Sequence, residues 1–126
     1  MEYFILNSRG LPVIEPDARV WDLWHRADPR RHMLCTDWEV EDGLVIVETC
    51  FQGFDLRPSE QRGDGHPVLW DTAATLYPND PPGRRGVHLG LWWWDSDTAA
   101  RMGHEQAVHD IQMEWGGDER GGNGSA

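Results

Sequence analysis

The 126-residue sequence contains no lysine: all eleven basic residues are arginine, set against 22 acidic ones for a net charge of −11. A field of that sign repels phosphate, so direct binding of DNA or RNA is not expected. The arginine-only usage matches the codon bias of a GC-rich genome. Cysteine is scarce. Cys35 and Cys50 are the two examples, and without a CxxC spacing they make neither a redox motif nor a zinc motif. No apolar run approaches the length of a membrane span, and the N-terminus has no basic segment followed by a hydrophobic one. The expected compartment is therefore a bacterial cytoplasm, where thiols stay reduced. No glycine cluster has the spacing of a P-loop or a dinucleotide fingerprint, and no nucleophile–base arrangement is visible in the spacing. No cofactor is implied.

Tryptophan, by contrast, is abundant, with eight residues in a chain that is 39% hydrophobic. Each indole carries a large area that is either buried or used for contact. The patterns predict one α+β domain over residues 1–115: an antiparallel sheet of four to five strands, with two helices packed on one face. A short strand, EYFIL, opens the chain and is followed by the turn residues Asn7, Ser8, Gly10 and Pro12. Pro16 suits the first position of a helix, and Val20, Leu23, Trp24 and Ala27 make its apolar stripe until Asp28-Pro29 ends it. The stretch CTDWEVEDGLVIVETC reads as a hairpin turning on Asp42-Gly43. That turn sets Trp38 against Val47 on a core face, and pairs Asp37 with Glu48 and Cys35 with Cys50 on the other face. After a polar loop over residues 53–67 comes VLWDTAATLY, with Val68, Trp70, Thr72, Ala74 and Leu76 inward and Asp71, Thr75 and Tyr77 outward. In the strand VHLGLWWW, alternation sends Val87, Leu89, Leu91 and Trp93 to the core and His88, Gly90, Trp92 and Trp94 to the other face. Ser96 or Asp97 caps a final helix over roughly residues 98–115, with His104 on its apolar stripe. The tail 116–126 is Gly-rich with nothing to bury, and disorder is expected.

Few of these residues carry chemistry by their spacing. The two thiols are expected to be inert, with a cross-strand disulfide or a metal site as the alternatives. Like charges facing each other on a sheet repel, so an opposed Asp37–Glu48 pair would suit a hard cation or share a proton, unless both simply point into water. No metal site is expected, and Asp37 and Glu48 are the carboxylates that would take one. HEQAVH is HExxxH rather than the HExxH of zinc proteases, and His104 reads as a hydrogen-bonded core histidine. Asp55 and Arg57 read as loop-closing residues. The strongest signal is the pair Trp92 and Trp94, expected beside His88 on an uncovered sheet face, with Tyr77, Asp71, Asp37 and Glu48 across it.

The order YFILNSRGLPV, DARVWDLW, VETCFQGFD, GHPVLWDT and GHEQAV resembles a family of small proteins, without assigned activity, found in actinobacterial phages, prophages and their hosts. The shared pattern includes Phe51, Gly53 and Asp55, then Asp71 and Thr72, and finally Gly103-His104. The family run continues with histidine after the aspartate, where this chain has Leu56; if that histidine is catalytic elsewhere, this chain has lost it. The resemblance implies a phage or prophage accessory protein. The expected function is non-enzymatic binding through the Trp-containing face, by self-association and by holding a host protein or a small molecule. The alternative is a small metal-dependent or acid–base enzyme on the same face. Mimicry of polyanionic DNA ranks last, because the carboxylates are scattered along the chain.

Overall fold

The computed structural model describes residues 1–63, 65–79 and 85–116. Most of the Gly-rich tail and the centre of the 77–86 loop lie outside that range. Tyr3–Leu6 (β1) and Pro12–Glu15 (β2) pair antiparallel across a turn whose Asn7 carboxamide oxygen accepts the N–H groups of Arg9 and Leu11. β2 is not expected from the sequence, where Pro12 reads as punctuation; at the first position of an edge strand its missing N–H costs nothing. Asp17 caps the helix Ala18–Ala27 (α1) by accepting from the Arg19 N–H, so Pro16 precedes the cap instead of occupying the first helical position.

Four strands follow as an antiparallel meander: His32–Val40 (β3), Gly43–Phe51 (β4), Trp70–Pro78 (β5) and Val87–Trp94 (β6). The helix Asp97–Trp115 (α2), capped by the Ser96 hydroxyl, lies across all four. The architecture is α+β, as expected. Between sheet and helix sit Trp38, Val45, Val47, Ala74 and Leu76, against Ala107, Val108 and Ile111 of α2. A second cluster of Leu6, Phe51, Leu69, Trp70 and Ala100 fills the neighbouring part of the core. α1 packs on β1 and β2 and reaches this cluster through Trp24, whose ring meets Phe51 edge-on at 5.7 Å.

Two departures from simple strand alternation reshape the sheet. In the hairpin, Val40 pairs with Gly43, so the two-residue loop is Glu41-Asp42 and Trp38 faces Val45. The ladder is thus displaced by two residues from the expected register, which keeps every side chain on its expected face but changes every opposed pair. Gly43 is not in the left-handed region. It is needed because a Cβ there would meet the backbone of β5, with the Pro78 Cα at 2.9 Å. The second departure is in β6, where Ala74 pairs with Gly90 but Thr75 pairs with His88, leaving Leu89 as an extra residue. One inserted residue inverts the faces of everything beyond it.

The sheet–helix interface also holds a chain of polar groups. Trp94 Nε1–H donates to Thr72 Oγ1 at 2.9 Å, the Thr72 and Thr49 hydroxyls meet at 2.6 Å, Thr49 lies 2.7 Å from His104 Nδ1, and His104 Nε2 lies 2.8 Å from Thr36 Oγ1. His104 is 1% exposed and is the hydrogen-bonded core histidine that the sequence suggests. His109 is exposed, which separates the two imidazoles of HEQAVH. One assignment supplies a donor for all four contacts: indole to Thr72, Thr72 to Thr49, Thr49 to Nδ1, and Nε2–H to Thr36.

Candidate functional site

Among the described residues no helix or sheet packs broadly across the side of the large sheet away from α2, although Cys50 on that side is buried. Its rows run across all four strands: Asp37, Ile46, Thr75 and His88; then Cys35, Glu48, Ala73 and Leu91; then His32, Cys50, Asp71 and Trp93. Tyr77 stands beside Leu44 at the hairpin end. Asp37, Glu48, Asp71, Tyr77 and His88 therefore do share one face, as expected from alternation.

Trp92 and Trp94 do not belong to it, and here the expectation is reversed. The Leu89 bulge turns both indoles toward α2, where Trp92 packs on the Trp38 cluster and Trp94 on the Phe51 cluster. Room for them comes from two glycines. A Cβ on Gly90 would stand 2.6 Å from the Trp92 ring, and one on Gly103 would overlap the Trp94 ring. Leu91 and Trp93, expected in the core, are instead 48% and 46% exposed on the open face. A glycine inside a strand is a sequence signal for a bulge or a close approach, and Gly90 is that signal here.

The expected opposed pairs fail for the reason given by the hairpin register. Glu48 faces Cys35 and Asp37 faces Ile46, so the two carboxylates are diagonal neighbours rather than partners. Both cysteines are free and do not face each other, Cys35 being exposed and Cys50 buried. Facing Cys50 instead is His32, a residue that the sequence pattern does not single out. Its Nδ1 lies 3.1 Å from Glu48 Oε2 and 3.7 Å from Cys50 Sγ. Burial, then Glu48 and Asp71, push the Cys50 thiol up to about 12. Burial chiefly, with Glu48 adding, also raises the Asp71 carboxyl, against the donated hydrogen bond from Gln52 Nε2 at 3.0 Å. The Cys35 thiol is raised by burial and by Glu48 and Asp37.

Thiolate is the reactive form of cysteine, so reactivity follows exposure and thiol acidity. Native protein treated with iodoacetamide at mildly alkaline pH should be alkylated at Cys35 first, with Cys50 protected until the chain unfolds. Peptide mapping by mass spectrometry reads this directly, and equal rates at the two positions would contradict the burial of Cys50.

Two other regions offer less. A cleft of about 840 Å³ beside the start of α2 brings together Arg9, Arg30 and Arg101, but Arg30 is held by Asp28 at 2.7 Å and Arg101 by Asp97 at 2.7 Å. In the 53–67 loop, Asp55 accepts from the Arg57 side chain at 2.7 Å and from the Val68 N–H at 3.2 Å. These contacts close the loop, as the sequence suggests, and the Arg57 bonds hold the Asp55 carboxyl below its usual range. Comparison of the chain with protein-family models, with curated proteins and with solved structures yields no match in any of the three. The chemistry of the open face therefore rests on its own residues.

Proposed function

We propose that this protein is a non-enzymatic binding module whose working surface is the open face of the large sheet, and that its first occupant is a second copy of the same chain. The observation that carries this reading is a sheet face with an apolar centre and unlike borders. Leu44, Ile46, Ala73, Leu91 and Trp93 supply the apolar area, and exposed Tyr77 flanks it. On one border β3 presents Asp37 and Glu39, both exposed, and on the other β6 presents His88.

Asp37 and His88 occupy the same row, three strand spacings or about 14 Å apart. A two-fold axis running along the strands places β3 of one copy over β6 of the other, and sets each Asp37 across from a His88. An axis across the strands would stack acid on acid. The net charge of −11 opposes association, but charges separated by more than about 8 Å are screened at physiological ionic strength. Buried aromatic anchors supply most of the binding energy in interfaces of this kind. Membership of a phage or prophage accessory group is supported by the sequence resemblance, and the holding of a further host protein or small molecule by the exposed Leu91, Trp93 and Tyr77.

Light scattering on eluting protein is expected to give twice the chain mass, falling to one chain mass in Leu91→Asp with Trp93→Asp. Asp37→Arg alone should weaken the pair, and adding His88→Glu should restore it. A wild-type monomer at every concentration, or a dimer indifferent to these changes, would overturn the reading.

A further inference from the structure

We propose that His32, Glu48 and Cys50 form a binding site for a borderline-soft divalent cation of the zinc type. Among the described residues this is the one trio of His, Cys, Asp or Glu whose donor atoms all lie within 4.8 Å of one another.

The trio is assembled by backbone geometry. Glu48 and Cys50 are two apart on β4 and therefore point to the same side. His32 reaches them only through a second bulge, between His32 and Leu34. Without that extra residue, Met33 would face Cys50 and His32 would turn to the core side. As built, Met33 packs on the Phe51 cluster and the imidazole is delivered to the thiol. Bulges that re-aim one side chain are common beside functional sites.

Distances and donor types fit the same ion. In a tetrahedral zinc site, with bonds of about 2.0–2.3 Å, neighbouring donor atoms stand about 3.4–3.6 Å apart. The two distances from His32 Nδ1, 3.1 Å to Glu48 Oε2 and 3.7 Å to Cys50 Sγ, are within a few tenths of an ångström of that, and the Glu48 and Cys50 donors lie within 4.8 Å of each other. A thiolate, an imidazole and a carboxylate are a mixed set that suits Zn²⁺ and disfavours Mg²⁺ or Ca²⁺, which take oxygen. Binding releases the Cys50 proton, which limits affinity. The surrounding negative charge, including Asp71 opposite Cys50 on β5, favours the incoming cation. With three protein donors the fourth position is left, in the single chain, to solvent or a ligand.

The test is titration of chelator-treated full-length protein with Co²⁺, read by absorption. One Co²⁺ per chain is expected, with a thiolate-to-cobalt charge-transfer band that Zn²⁺ displaces. Cys50→Ser should abolish the band, His32→Ala should weaken binding at least tenfold, and Cys35→Ser should change neither. The His32 side chain is 51% exposed, so its variant keeps the test sound even if Cys50→Ser folds poorly. Absence of the band, its survival in Cys50→Ser, or indifference to His32→Ala would overturn the proposal. In the paired arrangement Trp93 of the second copy lies over the row of His32 and Cys50, so the titration is run both on the wild type and on the Leu91→Asp, Trp93→Asp variant, and in the latter this site is read apart from the pairing of chains.

Discussion

Replacing Trp94 by alanine is expected to cost about 3 kcal/mol of folding stability, whereas the same change at Trp93 is expected to cost less than about 1 kcal/mol. The two indoles are adjacent in sequence and on opposite sides of the sheet. Trp94 packs beside Phe51 and Trp70, lies against Gly103 of α2, and donates its N–H to Thr72 at 2.9 Å. Its removal opens a cavity and leaves a buried hydroxyl without its donor. Trp93 is 46% exposed and leaves no such hole in the single chain. Urea unfolding of the two variants, at concentrations where the chain is monomeric, measures the difference. Equal costs, or a larger one at Trp93, would mean that β6 alternates without its bulge, and the open face would then have to be redrawn.

His104→Ala should be the other severe change, at about 3 kcal/mol or more. The imidazole is 1% exposed and bridges Thr36 on β3 to Thr49 on β4 from α2. Its loss combines an emptied volume with one lost partner each for half-buried Thr36 and for Thr49, which keeps Thr72. Thr49→Val, nearly the same shape, isolates the polar part and is expected to cost about 1–3 kcal/mol, because Thr72 and His104 Nδ1 each lose a partner. His109→Ala is the control: that side chain is exposed on the same helix and should change stability by no more than about 0.5 kcal/mol. If all three variants melted together, the buried chain of hydrogen bonds would contribute nothing to holding helix on sheet.

Much of the candidate face is legible in the amino-acid sequence. Period-two alternation in β5 places Asp71, Thr75 and Tyr77 outward, as they are, because no residue interrupts that strand. In β4 the faces agree even though the turn lies elsewhere, since a shift of two residues preserves parity. Disagreement arises from single inserted residues. The bulge at Leu89 sends Trp92 and Trp94 inward and Trp93 outward, and the bulge after His32 brings an imidazole to Cys50 that no spacing rule would place there. A bulge is chosen by what packs on both sides of a strand, and that information is spread over α2, β5 and the neighbouring glycines.

Composition, hydrophobic period and capping residues are thus enough to specify an acidic α+β domain, with Ser96 or Asp97 starting the last helix and His104 inside. These are local properties, set by the free energy of each segment against water. Which indoles are exposed, which residue faces which across the hairpin, and whether His32 meets Glu48 and Cys50 are settled by packing between distant segments. Each depends on one-residue offsets between strands. Those offsets are fixed by the close approach of Gly43 to β5, of Gly103 to Trp94, and of Met33 to the core.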